Sequence, residues 1–129
     1  MRAMVVAGLV CVAGAAGAAS YTDGNYLYRA CLNTDDVTQG FCIGFIMGTI
    51  EGIRYGLAYP MMMQGDKSSD EVNATSNVIL MNCPPEGIEN GQYVDVAINY
   101  LHAHPADRHN SARALILESL QDAFPCPVD

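Results

Sequence analysis

Positive charge is scarce in this chain: 6 Lys and Arg stand against 14 Asp and Glu, a net charge of −8. Nucleic acid and anionic membrane surfaces repel such a chain, whereas a basic protein partner suits it. Glycine-rich phosphate loops after a strand are missing, and so is a serine in a nucleophile elbow, which leaves nucleotide binding and serine hydrolysis without a scaffold. No two cysteines lie at the two-to-four-residue spacing of a zinc knuckle, which argues against a structural zinc site. Convincing strands, tandem repeats and a low-complexity tail are absent too. What remains is helical periodicity, so the expected class is all-α.

The first twenty residues, "MRAMVVAGLVCVAGAAGAAS", place Arg2 before an apolar run of small residues ending in alanines, the layout of a secretory signal. The run is well short of the roughly 20 apolar residues a spanning helix needs. Residues 1–19 are expected to be a signal peptide cut near Ala18–Ser20, with Ala13 and Ala15 leaving an earlier site open. Cys11 follows "GLV", a poor lipoprotein box, and is discarded with the signal. Residues 20–129 then form a single domain of about 110 residues, in the periplasm. The mature chain keeps five Lys and Arg against fourteen Asp and Glu, a net charge of −9. It also keeps four cysteines, Cys31, Cys42, Cys83 and Cys126, an even number that reads as two disulfides in a small exported domain.

Apolar spacing predicts four helices. The first follows "TDGN", with Asp23 or Asn25 as cap and Leu27, Ala30 and Cys31 at helical spacing. The second starts near Thr38, carries Cys42, Ile46, Ile50, Ile53 and Leu57 as an apolar stripe, and is closed by Pro60. The third presents Val94, Ala97, Ile98 and Leu101 and ends before Pro105. The fourth, capped by Asn110 or Ser111, carries Ala112, Leu115, Ile116, Leu120, Ala123 and Phe124. Between the second and third, residues 64–77 are polar and expected to be a mobile loop. Met61, Met62 and Met63 are expected to fill the core rather than form a soft contact surface.

The second helix holds a puzzle: in "GFCIGFIMGTIEGIRYGLAYP" glycine recurs every fourth residue, from Gly40 to Gly56. Each glycine inside a helix costs roughly 1 kcal/mol relative to alanine. Residues four apart form one slanting row, so Gly44, Gly48, Gly52 and Gly56 make a smooth groove into which a neighbouring ridge can settle. Such a groove docks a helix, either inside the fold or between two copies. Glu51 and Arg54 argue against a membrane version of the same packing.

Three histidines, His102, His104 and His109, crowd the link between the last two helices. Residues two apart do not face each other on a helix, and no carboxylate pair completes a ligand set, so neither a metal nor any cofactor is expected. The plainer reading is a solvated helix end whose imidazoles meet the negative end of the dipole. A free thiolate for Cys–His chemistry is out of place in an oxidising compartment. "NAT" at Asn73 matches a glycosylation acceptor, relevant only in a eukaryotic secretory route. Catalysis has no candidate residue.

"DGNYLYRAC", "FCIGFIMGTIEG", "CPPEGIENGQYVDVAINYLHAHP" and "SARALILESLQDAFPCP" together resemble the Rap/Tai family of immunity proteins associated with type VI secretion. The resemblance covers nearly all of the mature chain, with residues 60–82 standing out as an insertion. It implies a small exported helical protein that binds and blocks a peptidoglycan-cleaving amidase toxin delivered into the periplasm. It also implies a tendency to form homodimers. An inhibitor of this kind needs a preorganised surface, and negative charge would steer it to a basic cleft. Candidate contacts are Glu86, Glu89, Asp107, Arg108 and Asn110. A small periplasmic acid-stress chaperone or an orphan binding module is the alternative.

Two helix hairpins favour pairing Cys31 with Cys42 and Cys83 with Cys126. In the chain-entropy model those loops contribute about 3 and about 4 kcal/mol. The other pairings stay open, Cys42 with Cys126 the nearest rival.

Overall fold

A computed structural model describes residues 22–65 and 67–127; the expected signal peptide lies outside them. Five α-helices account for the architecture, and no strand occurs among the described residues: α1 (Gly24–Cys31), α2 (Asp36–Met63), α3 (Ser69–Leu80), α4 (Asn90–Ala103) and α5 (Ala112–Ala123). The class is all-α, with one helix more than the apolar spacing predicts.

Helix α1 begins at Asp23, whose Oδ1 accepts from the Tyr26 N–H at 2.7 Å and so satisfies an otherwise orphaned donor of the first turn. It turns back into α2 through a short link pinned by the Cys31–Cys42 disulfide, with 5.1 Å between Cα atoms. α2 starts earlier than expected. Asp35 is its cap, accepting from the Thr38 N–H at 3.1 Å, so Thr38 lies three residues beyond the cap. That hydrogen bonding, to the Thr38 side chain and backbone, holds the Asp35 carboxyl below its ordinary range.

Pro60 does not close α2, which continues to Met63. A proline in a helix removes the bond to the carbonyl four residues back, here Gly56. Gly56 and Pro60 belong to the same i, i+4 row, both are exposed, and no side chain crowds Gly56. The freed carbonyl therefore faces water, which can replace the lost donor. Met62 and Met63 reach the surface, Met63 70% exposed, so they do not fill the core. They belong to the last turn of α2, past the buried stripe that ends at Ile50.

The supposed loop 64–77 is largely helix. Ser68 caps α3, Glu71 accepts from the Ser68 N–H at 2.8 Å, and the Ser68 hydroxyl accepts in turn from the Glu71 N–H at 3.3 Å. Such a reciprocal pair settles two orphan donors at once. α3 buries only Val72, Ser76 and Leu80, a stripe one residue wide, and rests chiefly on α2. The Ser76 hydroxyl returns to the Val72 carbonyl at 2.8 Å, so its burial leaves no donor unpaired. α3 ends on Met81 with φ 50°, a left-handed position normally given to glycine.

The core sits where α1, α2, α4 and α5 meet: Leu27, Ile46, Ala97, Leu101, Ala112, Leu115 and Ile116 are all but inaccessible to water. α4 and α5 form an antiparallel pair. Cys83, before α4, bonds Cys126, after α5, with 4.8 Å between Cα atoms, and the Cys83 N–H donates to the Phe124 carbonyl at 2.8 Å.

Candidate partner-binding surface

The residues singled out for contact fall into two groups. Asp107, Arg108 and Asn110 belong to the α4–α5 link, which the fold uses as a clasp on α1. The Asn110 carbonyl accepts from Gly24 N–H at 3.0 Å, the Arg108 carbonyl from Asn25 N–H at 2.8 Å, and the Thr22 carbonyl from Ala112 N–H at 2.9 Å. Gly24 is required here, because a Cβ at that position would overlap Leu115 Cδ1 and come within 3.0 Å of the Arg108 carbonyl oxygen. Arg108 also closes the end of α4: Nε donates to the Leu101 carbonyl at 2.6 Å and Nη2 to the His102 carbonyl at 3.1 Å. These are carbonyls that a helix C-terminus leaves without intrahelical donors. The same guanidinium lies 3.7 Å from the centre of the Tyr28 ring, a cation–π contact that joins α1 to the link. The Asp107 N–H donates to the His104 carbonyl at 3.2 Å within this turn.

Glu86 and Glu89 lie elsewhere, on the turn that leads into α4. Gly87, with φ 80°, permits that turn, and Glu86 is exposed on it. Glu89 is the first residue ahead of α4, where the Gln92 Oε1 accepts its N–H at 2.9 Å. The structure does not bring this pair together with the clasp residues in one cluster of interacting side chains.

His104 and His109 are engaged by nearby carbonyls, and His102 by a tyrosine of α1. The carbonyls of Tyr100 and Ala106 are acceptors only, so His104 Nδ1 and His109 Nδ1, each 2.9 Å away, carry the proton. The Tyr28 hydroxyl meets His102 Nδ1 at 2.7 Å. The Tyr100 and His104 rings stack at 4.0 Å. Burial, followed by the nearby Glu118 carboxylate, raises the Tyr100 phenol above its ordinary range. Among the described residues no group of three or more His, Cys, Asp and Glu could hold a metal ion.

The glycine row is open. Nothing approaches within 4 Å of a Cβ placed at Gly44, Gly48, Gly52 or Gly56, so no described element of the same chain docks there. Among the described residues the groove therefore has no internal occupant: α2 buries Cys42, Ile46 and Ile50 against the other helices, and only the Arg113 side chain of α5 reaches the groove's edge. The groove has a volume of about 390 Å³ and is lined by Phe45, Thr49, Ile53 and Arg113 besides Gly44, Gly48 and Gly52. By length and composition α2 could span a membrane, yet only 17% of its most apolar 18-residue window is buried within this fold. Exposed side chains extend the apolar face at both ends: Val37, Phe41 and Ile43 at one, Tyr55, Tyr59, Met62 and Met63 at the other. Sequence reasoning passed over the aromatic pairs Phe41–Phe45 and Tyr55–Tyr59, centroids 5.6 and 5.8 Å apart, although their i, i+4 spacing beside the glycines was visible.

Exposed apolar surface on this scale marks an interaction site more often than an idle one. The chain matches no curated protein and no solved structure. The family model of Rap1a immunity proteins matches residues 23–126, spanning every helix and both disulfides. The chain belongs to the Rap1a immunity protein family.

Proposed function

We propose that this chain is a periplasmic immunity protein that binds and occludes a peptidoglycan-cleaving amidase toxin of a type VI secretion system. The family match over residues 23–126 carries the reading, since it implies a protein toxin as partner. The mature chain's acidic balance favours a basic cleft on that partner, and two disulfides suit an oxidising compartment. Occlusion requires a rigid surface and no turnover, so the protein acts as a stoichiometric binder and not as an enzyme. Among the candidate contacts, Glu86 and Glu89 on the turn before α4 extend from a rigid base. Asn110, exposed, and Asp107, half-buried, offer side chains while their backbones belong to the clasp; the Arg108 guanidinium is engaged within the chain and acts there by holding the clasp in shape.

The open glycine face of α2 is proposed as the seat of a second copy, giving a homodimer. Gly48→Leu tests it, because the position has room for a side chain within one chain. The expected result is a fully folded monomer in sedimentation analysis where the parent sediments as a dimer. A parent that is already monomeric at high concentration would remove the dimer from the reading.

The decisive experiment is protection. Neighbouring reading frames are exported singly to the periplasm of a test bacterium, with and without this protein, and lysis is scored. Lysis by one frame, its rescue, and co-purification of the pair are expected, with cell-wall fragments showing amidase cleavage. Rescue from a toxin that cuts another bond keeps immunity and replaces the amidase. Toxicity without rescue by this protein overturns immunity in favour of a chaperone or an orphan binding module.

A further inference from the structure

The seam where α2, α3 and α5 meet contains an oxygen that the fold leaves unserved. Asn82 follows α3 and is 1% exposed, yet its Oδ1 has no hydrogen-bond partner in the chain. Its backbone N–H donates to the Asn77 carbonyl at 3.0 Å, which leaves that group paired while the side-chain oxygen has no donor. Asn82 lines a cavity of about 10 Å³ whose other walls include Ile50, Ile53, Leu80, Ile116 and Leu120, with Arg54 beside them. That volume is close to the least that holds one water molecule and is far too small for a metabolite or a partner's side chain. Buried amide oxygens without a donor are rare in folded proteins, and an ordered water is one established way of supplying the missing donor.

Arg54 supplies what a water would need on its other side. It is half-buried on α2, and one of its N–H groups donates to Asn77 Oδ1 at 2.9 Å. A guanidinium carries five N–H donors and no acceptor, so others remain available. We propose that this cavity is a single-water site in which the water donates to Asn82 Oδ1 and accepts from the Arg54 guanidinium. The water then ties the end of α3 to α2 at the point where Gln121 Nε2 donates to the Leu80 carbonyl at 2.9 Å from α5. Because α3 rests chiefly on α2, this seam fixes the root of the α2–α3 hairpin.

The test uses the intact, disulfide-bonded protein, uniformly labelled with ¹⁵N and ¹³C, in rotating-frame water-exchange NMR. A cross-peak of the sign given by a long-lived water is expected at the Asn82 side-chain amide, and Asn82→Leu is expected to abolish long-lived water contacts at Ile116 and Leu120 and to lower the melting midpoint. Arg54→Met should keep the fold and weaken the Asn82 cross-peak. Absence of a long-lived water at Asn82 in the parent protein overturns the site, and so does an Asn82→Leu variant that melts higher. Should Asn82→Leu fail to fold, the parent spectrum decides alone.

Discussion

Two faces of one helix carry opposite designs. On the inner face of α2, Cys42, Ile46 and Ile50 are almost completely buried, and one of them is covalently tied to α1. On the outer face, Gly44, Gly48, Gly52 and Gly56 meet nothing, and aromatic and methionine side chains stand in water around them. The inner face explains why the helix folds despite its glycines: packing and a disulfide offset a poor intrinsic propensity. The glycine row on the outer face meets no described side chain of the same chain, so its smoothness is not needed for packing among the described helices.

The largest effect expected from breaking this contrast is on the inner face. Ile46→Ala should cost roughly 3–4 kcal/mol, since Ile46 is fully buried amid α1, α4 and α5 and truncation leaves a cavity. Denaturant unfolding of the oxidised protein measures it, and a loss below about 1 kcal/mol would mean the site collapses or is not core. Next come the glycines, where position decides the sign. Gly24→Ala should destabilise by about 2 kcal/mol, because the new methyl meets Leu115 and the Arg108 carbonyl. Gly48→Ala should instead raise the stability of the monomer by roughly 0.5–1 kcal/mol, as an exposed helical glycine gains propensity with no clash. Thermal melts at low concentration separate the two, and equal signs would defeat the distinction.

The smallest effect concerns α3 alone. Hydrogen bonds from the backbone and side chain of Ser68 hold the Glu71 carboxyl below its ordinary range. Its proton is therefore bound less tightly in the folded state than in the unfolded one. The stabilisation is complete above the usual glutamate value near 4.3 and fades as pH falls through the lower folded value. Amide exchange in α3 should quicken in that acid window while α1, α4 and α5 stay protected, and Glu71→Gln should remove the pH step. Simultaneous loosening of all helices would show that α3 is not an independent layer.

Much of the fold was legible because most helices here bury broad stripes. Leu27 and Ala30, or Leu115, Ile116 and Leu120, repeat at a spacing only a helix can bury on one side. α3 escaped because it buries a stripe one residue wide with a serine at its centre, though "SSDE" carried the capping box in plain view. The end of α2 escaped because Pro60 reads as a stop, a rule that presumes the freed carbonyl has no water to turn to. The glycine row was legible as a smooth groove, but whether it is filled by a described helix of the same chain depends on which sides of α2 the other helices occupy. No local pattern encodes that. The clasp was less visible still: Arg108 looks like a surface charge until the α4 carbonyls and the Tyr28 ring are placed around it.

The clasp also sets an order of events. A polypeptide emerges from its N-terminus, so Gly24 and Asn25 are made long before the Asn110 and Arg108 carbonyls that hold them. Until the last quarter of the chain arrives, α1 can be joined to α2 through Cys31 and Cys42 but has nothing to seat its first turn. Gly24 then fits only against a formed α5, because Leu115 and the Arg108 backbone complete its surroundings. A chain cut short anywhere before the α4–α5 link is therefore left with an unmoored first helix and with Leu27 lacking the α5 side chains of its core cluster.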